Sequence, residues 1–314
     1  MRKHASTIIL VVILLIGLCL LLYPSVSNWA AQSRMSRAVA TYQDQVDSTD
    51  KAQLALMLQQ AQDYNQRLVE TQTPLGTNLA DYDSVLDVDG SGVMGYLQID
   101  KIDVKLPIYH GTDDTVLMTG LGHVPGSSLP VGGESTHAVL SGHRGLPSAT
   151  LLSDLDQMEV GDTFAVHVLD QTLWYEVDKI SVVLPTEVDE LHVEEGADLC
   201  TLVTCTPYGV NSHRLLVRGH RIDSPENASD QVVSEAYRVD TLTAAMVIAV
   251  PILVALVVWV LLATRRKRRG DGSKEPALPA EFDVRDGAQD IVAEGAFHRA
   301  RHAKLEGTSD RVRK

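Results

Sequence analysis

Two long stretches of the chain contain no charged residue: residues 7–23, "TIILVVILLIGLCLLLY", and residues 244–263, "AAMVIAVPILVALVVWVLLA". At a rise of about 1.5 Å per residue each is long enough as a helix, the first only just, to cross a hydrocarbon layer about 30 Å thick. Such runs withdraw part of the 314 residues from any water-soluble core. Their flanks predict an orientation, because excess Lys and Arg stay on the cytoplasmic side. "MRKH" precedes the first run and "RRKRR" (265–269) follows the second. Both termini are therefore expected inside and everything between them outside. Two other readings stay open: the first run can be a secretory signal cleaved near "SVS" (25–27), and the second a buried core helix.

Charge follows the same division. Residues 25–240 hold 12 Lys and Arg against 32 Asp and Glu, net −20, while the remainder holds 15 against 9, net +6. An acidic outward region is unsuited to phosphate backbones, which require a basic patch, so nucleic acid is excluded as a partner class. Cysteine usage excludes a disulfide framework. Cys19 lies in the first run, and Cys200 and Cys205 are five apart in one apolar segment. In an extended strand they sit roughly 16 Å apart on opposite faces, beyond the roughly 7 Å Cα limit for a bridge. Cys205 is then a free thiol outside the cell, a liability unless its sulfur is used.

Between the apolar runs the texture changes twice. Leu54, Leu58, Ala61, Tyr64 and Leu68 recur at helical spacing, which predicts one or two amphipathic helices within residues 24–70. "TQTPLGTN" (71–78) breaks the pattern, and the acidic "LADYDSVLDVDGSG" follows. After Gly92 come short β-type runs: "VMGYLQI", "VKLPIYHG", "THAVLSGH", "TFAVHVL", "TLWYEVDKISVV", "CTLVTC" and "HRLLVRGHRI". Seven or eight short strands with one helical insert, "SATLLSDLDQM", predict a mainly β sandwich or closed barrel. The expected organisation is a cytoplasmic N-terminus (1–6), an anchoring span (7–23), an extracellular helical segment (24–70), a lid-like segment (71–90) and a β-domain (91–222). A linker (223–243), a second span (244–263) and a basic stop with a charged tail (264–314) complete it. "DVDGSG" (87–92) resembles the start of a calcium loop through Asp87, Asp89, Ser91 and Gly92, but position twelve is Gln98, so an ordinary Asp-Gly turn is expected.

Chemistry is concentrated in three places. A nucleophilic cysteine attacks as thiolate and requires proton-accepting or positive company. Cys205 in "TLVTC" closes one apolar run, His143 in "LSGHRGLP" closes another, and Arg214 opens a third. If "HAVLSG" and "LVT" belong to neighbouring strands, the side chains can emerge at one rim. On spacing alone, a buried Cys205 with a solvated Arg214 is an equal alternative.

"TLVTC" followed by an arginine, with "SGHRG" upstream, resembles the signature of sortases, the membrane-anchored cysteine transpeptidases of Gram-positive bacteria. More narrowly, "GVMGYLQIDKIDVKLPIYHGT", "GHVPGSSLPVGGESTHAVLSGHRGLPSA" and "TLVTCTPYGVNSHRLLVRGHR" are similar to class C sortases, the pilin polymerases, over roughly residues 91–222. The resemblance implies an eight-stranded sortase-type β-barrel with short helices, flanked by two transmembrane helices. It also implies Cys205 as nucleophile, His143 as general acid and base, and Arg214 as stabiliser of substrate and oxyanion. The implied partners are pilin or surface-protein substrates with LPxTG-like sorting signals, cleaved between Thr and Gly and joined to a lysine amine. No metal or organic cofactor is implied.

The sequence departs from the class in one place. A lid with an Asp-Pro-aromatic motif is expected ahead of the barrel, where this chain has Thr73, Pro74 and Leu75. With neither carboxylate nor ring, residues 70–90 are expected to form a lid held more weakly. The other histidines, His110, His123, His137, His167, His192, His213 and His220, are read as structural or solvated, and Trp174 and Tyr175 as sheet packing. Arg144, beside His143, and Arg218 and Arg221 on the last strand are read as surface charge, with support of the site as the alternative. Three further functions stay open: attachment of single proteins to the cell-wall peptide, a secreted cysteine hydrolase, and a non-enzymatic surface β-domain.

Overall fold

A computed structural model describes residues 2–225; the second apolar run, most of the linker before it and the charged tail lie outside the described residues. The first apolar run forms the start of α1 (Arg2–Ser48), which continues through Pro24 without a break in assignment. Over the apolar run its side chains, such as Ile13, Leu20 and Leu21, are exposed. By length and composition it is the described helix able to cross a membrane. Beyond it the same helix changes character: Ala31, Met35, Val39, Tyr42 and Val46 are buried, one stripe at helical spacing laid against the β-domain.

Asp50 caps α2 (Lys51–Thr71), its carboxylate accepting from Ala52 N at 2.7 Å. Leu54, Ala61, Tyr64 and Leu68 are buried along one side, and Leu58 packs against the core at its edge. Gln72 ends the helix in the left-handed region, with its N–H and that of Thr73 returning to Val69 O and Leu68 O.

Eight strands close into a barrel in the order β1-β2-β3-β4-β7-β8-β6-β5. They are β1 (Val93–Ile99), β2 (Val104–His110), β3 (Leu121–His123), β4 (Thr136–Ser141), β5 (Thr163–Val168), β6 (Gln171–Val183), β7 (Asp198–Thr206) and β8 (His213–Ile222), with the one-turn α3 (Asp114–Leu117) crossing from β2 to β3. Leu97, Leu106, Leu140, Val166, Leu202 and Val217 fill the interior. Two pairings, β2 with β3 and β4 with β7, are parallel.

Two expectations are corrected. The run "SATLLSDLDQM" forms turns and a single 3-10 turn, Leu155–Gln157, in place of a helix. Its polar groups are engaged locally: the Ser153 hydroxyl accepts from Gly145 N, and the Ser153 carbonyl accepts from the Arg144 side chain. Strand β3 had no counterpart among the seven β-type runs. Three residues with a central glycine carry no pattern of their own, and β3 exists because β2 and β4 pair with it on either side.

Candidate active site

Register places the site. In β7 side chains alternate: Cys200 and Leu202 belong to the barrel core, so Thr201, Val203 and Cys205 face outward. Strand β8 pairs antiparallel with β7, and Cys205 is the direct partner of Arg214. Such partners have Cβ atoms about 4.5–5.5 Å apart on one face. On the other side β4 runs parallel to β7, with Ser141 level with Val203, and Gly142 N continues the ladder to Val203 O at 3.0 Å. The β4–β7 pairing ends at Ser141, and the same parallel register continued for two more steps along both chains would set His143 level with Cys205. The three residues are half-buried at one end of the sheet's outer face.

Below them a small apolar cluster, Val139, Val203 and Leu216, is packed apart from the barrel interior, with Val124, Val183 and Leu191 at its edges. It forms a floor leading away from Cys205. The β6–β7 connection folds over the far part of this face. Glu190 bonds Ser181 at 2.7 Å and Lys179 at 3.1 Å, and Glu194 bonds Arg218 at 2.7 Å. His137, buried, links the same connection to β7 through His192 O and Thr201 Oγ1.

His143 sits in a tightly fixed bend. Gly142 is packed tightly: a Cβ there would lie 2.6 Å from Leu121 Cδ2 and 2.8 Å from Leu152 Cδ1, so both leucines would have to move. Its carbonyl accepts the buried Thr204 hydroxyl at 2.8 Å, and His143 O accepts Leu152 N at 3.2 Å. Gly145 turns the chain at φ +79°, against the Tyr208 ring.

Arg214 Nη1 donates to His213 O at 3.2 Å and Asn211 O at 3.4 Å. Its Nε and Nη2 have no partner among the described residues, and no carboxylate pairs with it there. The fork is thus anchored at one nitrogen and free at two. Burial, with Asp198 nearby, pushes the Cys200 thiol far above the usual range, so Cys200 is a protonated packing residue of the barrel core.

Arg144 corrects the surface-charge reading. Its side chain is 8% exposed, pairs with Asp156, donates to Ser153 O at 3.0 Å and Thr206 Oγ1 at 3.4 Å, and lies over the Tyr208 ring. It ties the bend after β4 to the residue following Cys205. The legible signal was adjacency to His143; what the sequence hid was the turn returning Ser153 and Asp156. Arg218 is likewise ion-paired, with Asp178 and Glu194, and Arg221 lies over the Tyr175 ring.

Thr73, Pro74 and Leu75 dock beside Gly126. Pro74 O accepts Thr77 N at 3.1 Å, and Gly76 N donates to Pro125 O at 2.7 Å, which docks this turn on the segment after β3. No hydrogen bond joins it to Cys205, His143 or Arg214 among the described residues. The rest of the lid-like segment is firmly pinned: Tyr82, Val85 and Leu86 are buried, and the Tyr82 hydroxyl meets His123 Nδ1 at 2.8 Å. "DVDGSG" is a turn in which Asp87 Oδ1 accepts Gly90 N and Gly92 N. His123 is buried and hydrogen-bonded, and its imidazole is pushed down to about 4 by desolvation.

The family profile described as "Sortase domain" matches residues 97–222. Among curated proteins, Sortase D of Bacillus subtilis (strain 168) is 30% identical over 131 residues, 41% of this chain and 63% of that protein. The chain thus spans less than two thirds of the length of the curated relatives it matches. Among solved structures, sortase C1 from Streptococcus agalactiae is 48% identical over 60% of this chain and 100% of that one, with a TM-score of 0.57. Sortase C-1 from Actinomyces oris is 47% identical over 55% of this chain and 99% of that one, with a TM-score of 0.51.

Proposed function

Because the chain belongs to the sortase family, we propose that it is a membrane-anchored cysteine transpeptidase that joins pilin subunits. The observation carrying this reading is the β7–β8 register that pairs Cys205 with Arg214, beside the parallel strand β4 that ends two residues before His143. The Cys205 thiolate attacks the Thr carbonyl carbon of an LPxTG-like signal. The Thr–Gly C–N bond breaks, and the leaving amine takes a proton from the His143 imidazolium, leaving a thioester on Cys205. Arg214, a permanent cation with free donors, stabilises the oxyanion. A lysine amine of the next subunit then attacks the thioester, gives its proton to His143 and releases the thiolate with an amide bond formed. This chain of steps uses protein groups alone.

The assignment to pilin joining rests on the likeness to sortase C1 structures and the two apolar runs. Of the lid-like segment, we assign any gating to residues 72–78, the part outside the pinned core. The anchoring topology, both termini cytoplasmic and the barrel outside, follows from the basic flanks.

Incubating the full chain in detergent with a pilin bearing an LPxTG-like signal tests the reading. Covalent pilin multimers that disappear with Cys205→Ala support it. Cleavage without multimers makes the protein a hydrolase, and transfer only to a cell-wall peptide amine makes it an anchoring sortase. Unchanged behaviour of Cys205→Ala leaves a non-enzymatic domain.

A further inference from the structure

Most connections of the closed barrel belong to one of its two ends, while β2–β3 and β6–β7 cross between them. The ends of β4, β6 and β7 and the start of β8 lie at the end that carries His143, Cys205 and Arg214. The connection from β4 to β5, residues 142–162, lies there too. Helix α1 is tied to both ends. Asn28 Oδ1 accepts the Thr150 N–H at 2.8 Å and hydroxyl at 2.9 Å, at the catalytic end. The Tyr42 hydroxyl donates to Met94 O at 3.1 Å and accepts Leu169 N at 2.7 Å, at the opposite end. Fourteen residues of helix span about 21 Å, the height of a seven-residue strand at about 3.3 Å per residue. The helix therefore runs along the barrel wall with its N-terminal, apolar part leaving past the catalytic end. Tyr23, where the uncharged run stops, is about 7.5 Å along the axis from Asn28.

That same end carries an apolar fringe. Val160, Val182, Leu184, Tyr208 and Val210 are exposed, from 46% for Leu184 to 69% for Val210. Elsewhere on the strands and their connections the exposed large apolar side chains are Met118 in the β2–β3 crossover and the less exposed Ile180, Val188 and Val193. On α1, Val26 and Trp29 stand exposed just beyond the span. Of the rim carboxylates, Asp156 pairs with Arg144 and Glu159 with Lys101, while Asp103, Asp154 and Glu187 have no cationic partner among the described residues.

We propose that the catalytic end of the barrel is its membrane-facing end, with this fringe seated in the interface of a phospholipid bilayer. The partner is the zwitterionic bilayer surface, held by apolar and aromatic contact and not by charge. Continuity with the span supplies the occupant: α1 delivers this rim, and no other, to the lipid. The groove then opens onto the membrane plane, suited to substrates that are themselves still membrane-held. Strand β8 ends at the far end, and the 21 residues from 223 to 243 can cover about 70 Å when extended, ample for a return. The inference rests on α1 crossing the membrane, part of the reading above.

The test uses the full chain in phosphatidylcholine bilayers, with Trp29, Trp174 and Trp259 replaced by Phe and one tryptophan introduced at a time at exposed positions. Quenching is read with lipids brominated mid-chain for Leu14→Trp and near the headgroup for Tyr208→Trp and Asp170→Trp, the last in the β5–β6 turn at the opposite end. The expected result is quenching at 14 and at least threefold stronger quenching at 208 than at 170, unchanged by salt. Quenching at 14 with 208 no different from 170 overturns the orientation while leaving the anchor standing. No quenching at 14 overturns the anchor and the orientation together.

Discussion

Cys205 and Arg214 are direct partners across the β7–β8 ladder, so the sulfur and the guanidinium rise from one face of one sheet without any loop having to order itself. The cation is bonded only to two backbone carbonyls and is not neutralised by a carboxylate among the described residues. Arg214→Ala is expected to lower kcat by about a hundredfold or more, the scale of losing an oxyanion donor. Arg214→Lys recovers little of it, because a point charge cannot reproduce the fork. Steady-state kinetics on a sorting-signal peptide separate the two variants.

Arg144 is expected to act as a positioning residue. Arg144→Ala removes four contacts from a side chain that is almost wholly buried, and should cost about 1–3 kcal/mol in denaturant unfolding. It should also lower kcat with KM little changed, since the bend carrying His143 loses its tie to Thr206. Arg144→Lys, keeping the charge without the fork, should restore stability better than kcat.

The neutral His123 ring is fully used: Nε2 donates to Ser128 O and Nδ1 accepts the Tyr82 hydroxyl. Its folded value of about 4 lies below the ordinary 6.5, so the unfolded chain takes up a proton first as pH falls. Stability from this group is complete above about pH 6.5 and is lost progressively towards pH 4, by about 3 kcal/mol in all. Urea unfolding across that window should show the loss, and His123→Gln should reduce it without abolishing it, because His137 and His167 are lowered by burial too.

Much of this was legible from residues 91–222. Seven of the eight strands are legible as short β-type runs separated by turn residues, and the catalytic candidates as polar residues closing or opening apolar runs. Strand β3 and the insert after His143 were not legible for one shared reason. Their conformation is decided by partners distant in sequence, β2 and β4 for the first and Arg144 with the Gly145 turn for the second. Arg144 was misjudged because a charged residue reads as surface unless its partner can be seen. The alternation rule did predict that His213 points away from Arg214's face, and His213 instead bonds Ser212. The departure at Thr73 to Leu75 was visible in sequence, but its docking beside Pro125 required the fold.

If the catalytic rim lies in the bilayer interface, placing charge in the fringe should separate two kinds of substrate. Val210→Asp and Val182→Asp are each expected to slow transfer from a substrate reconstituted in the same bilayer by about three- to tenfold, with a soluble signal peptide cleaved at the unaltered rate. Each aspartate adds roughly the cost of wetting an interfacial apolar contact, about 1 kcal/mol. Equal rates on both substrates would remove the support these residues give.

The account stands on a covalent acyl group carried by one sulfur, and intact-mass spectrometry of the full chain with an LPxTG-like peptide reads that directly. The predicted result is a mass increase equal to the peptide up to its threonine, mapped to Cys205, discharged by an added amine and absent from Cys205→Ala. An adduct on any other residue, or peptide cleavage that continues at the same rate in Cys205→Ala, contradicts it.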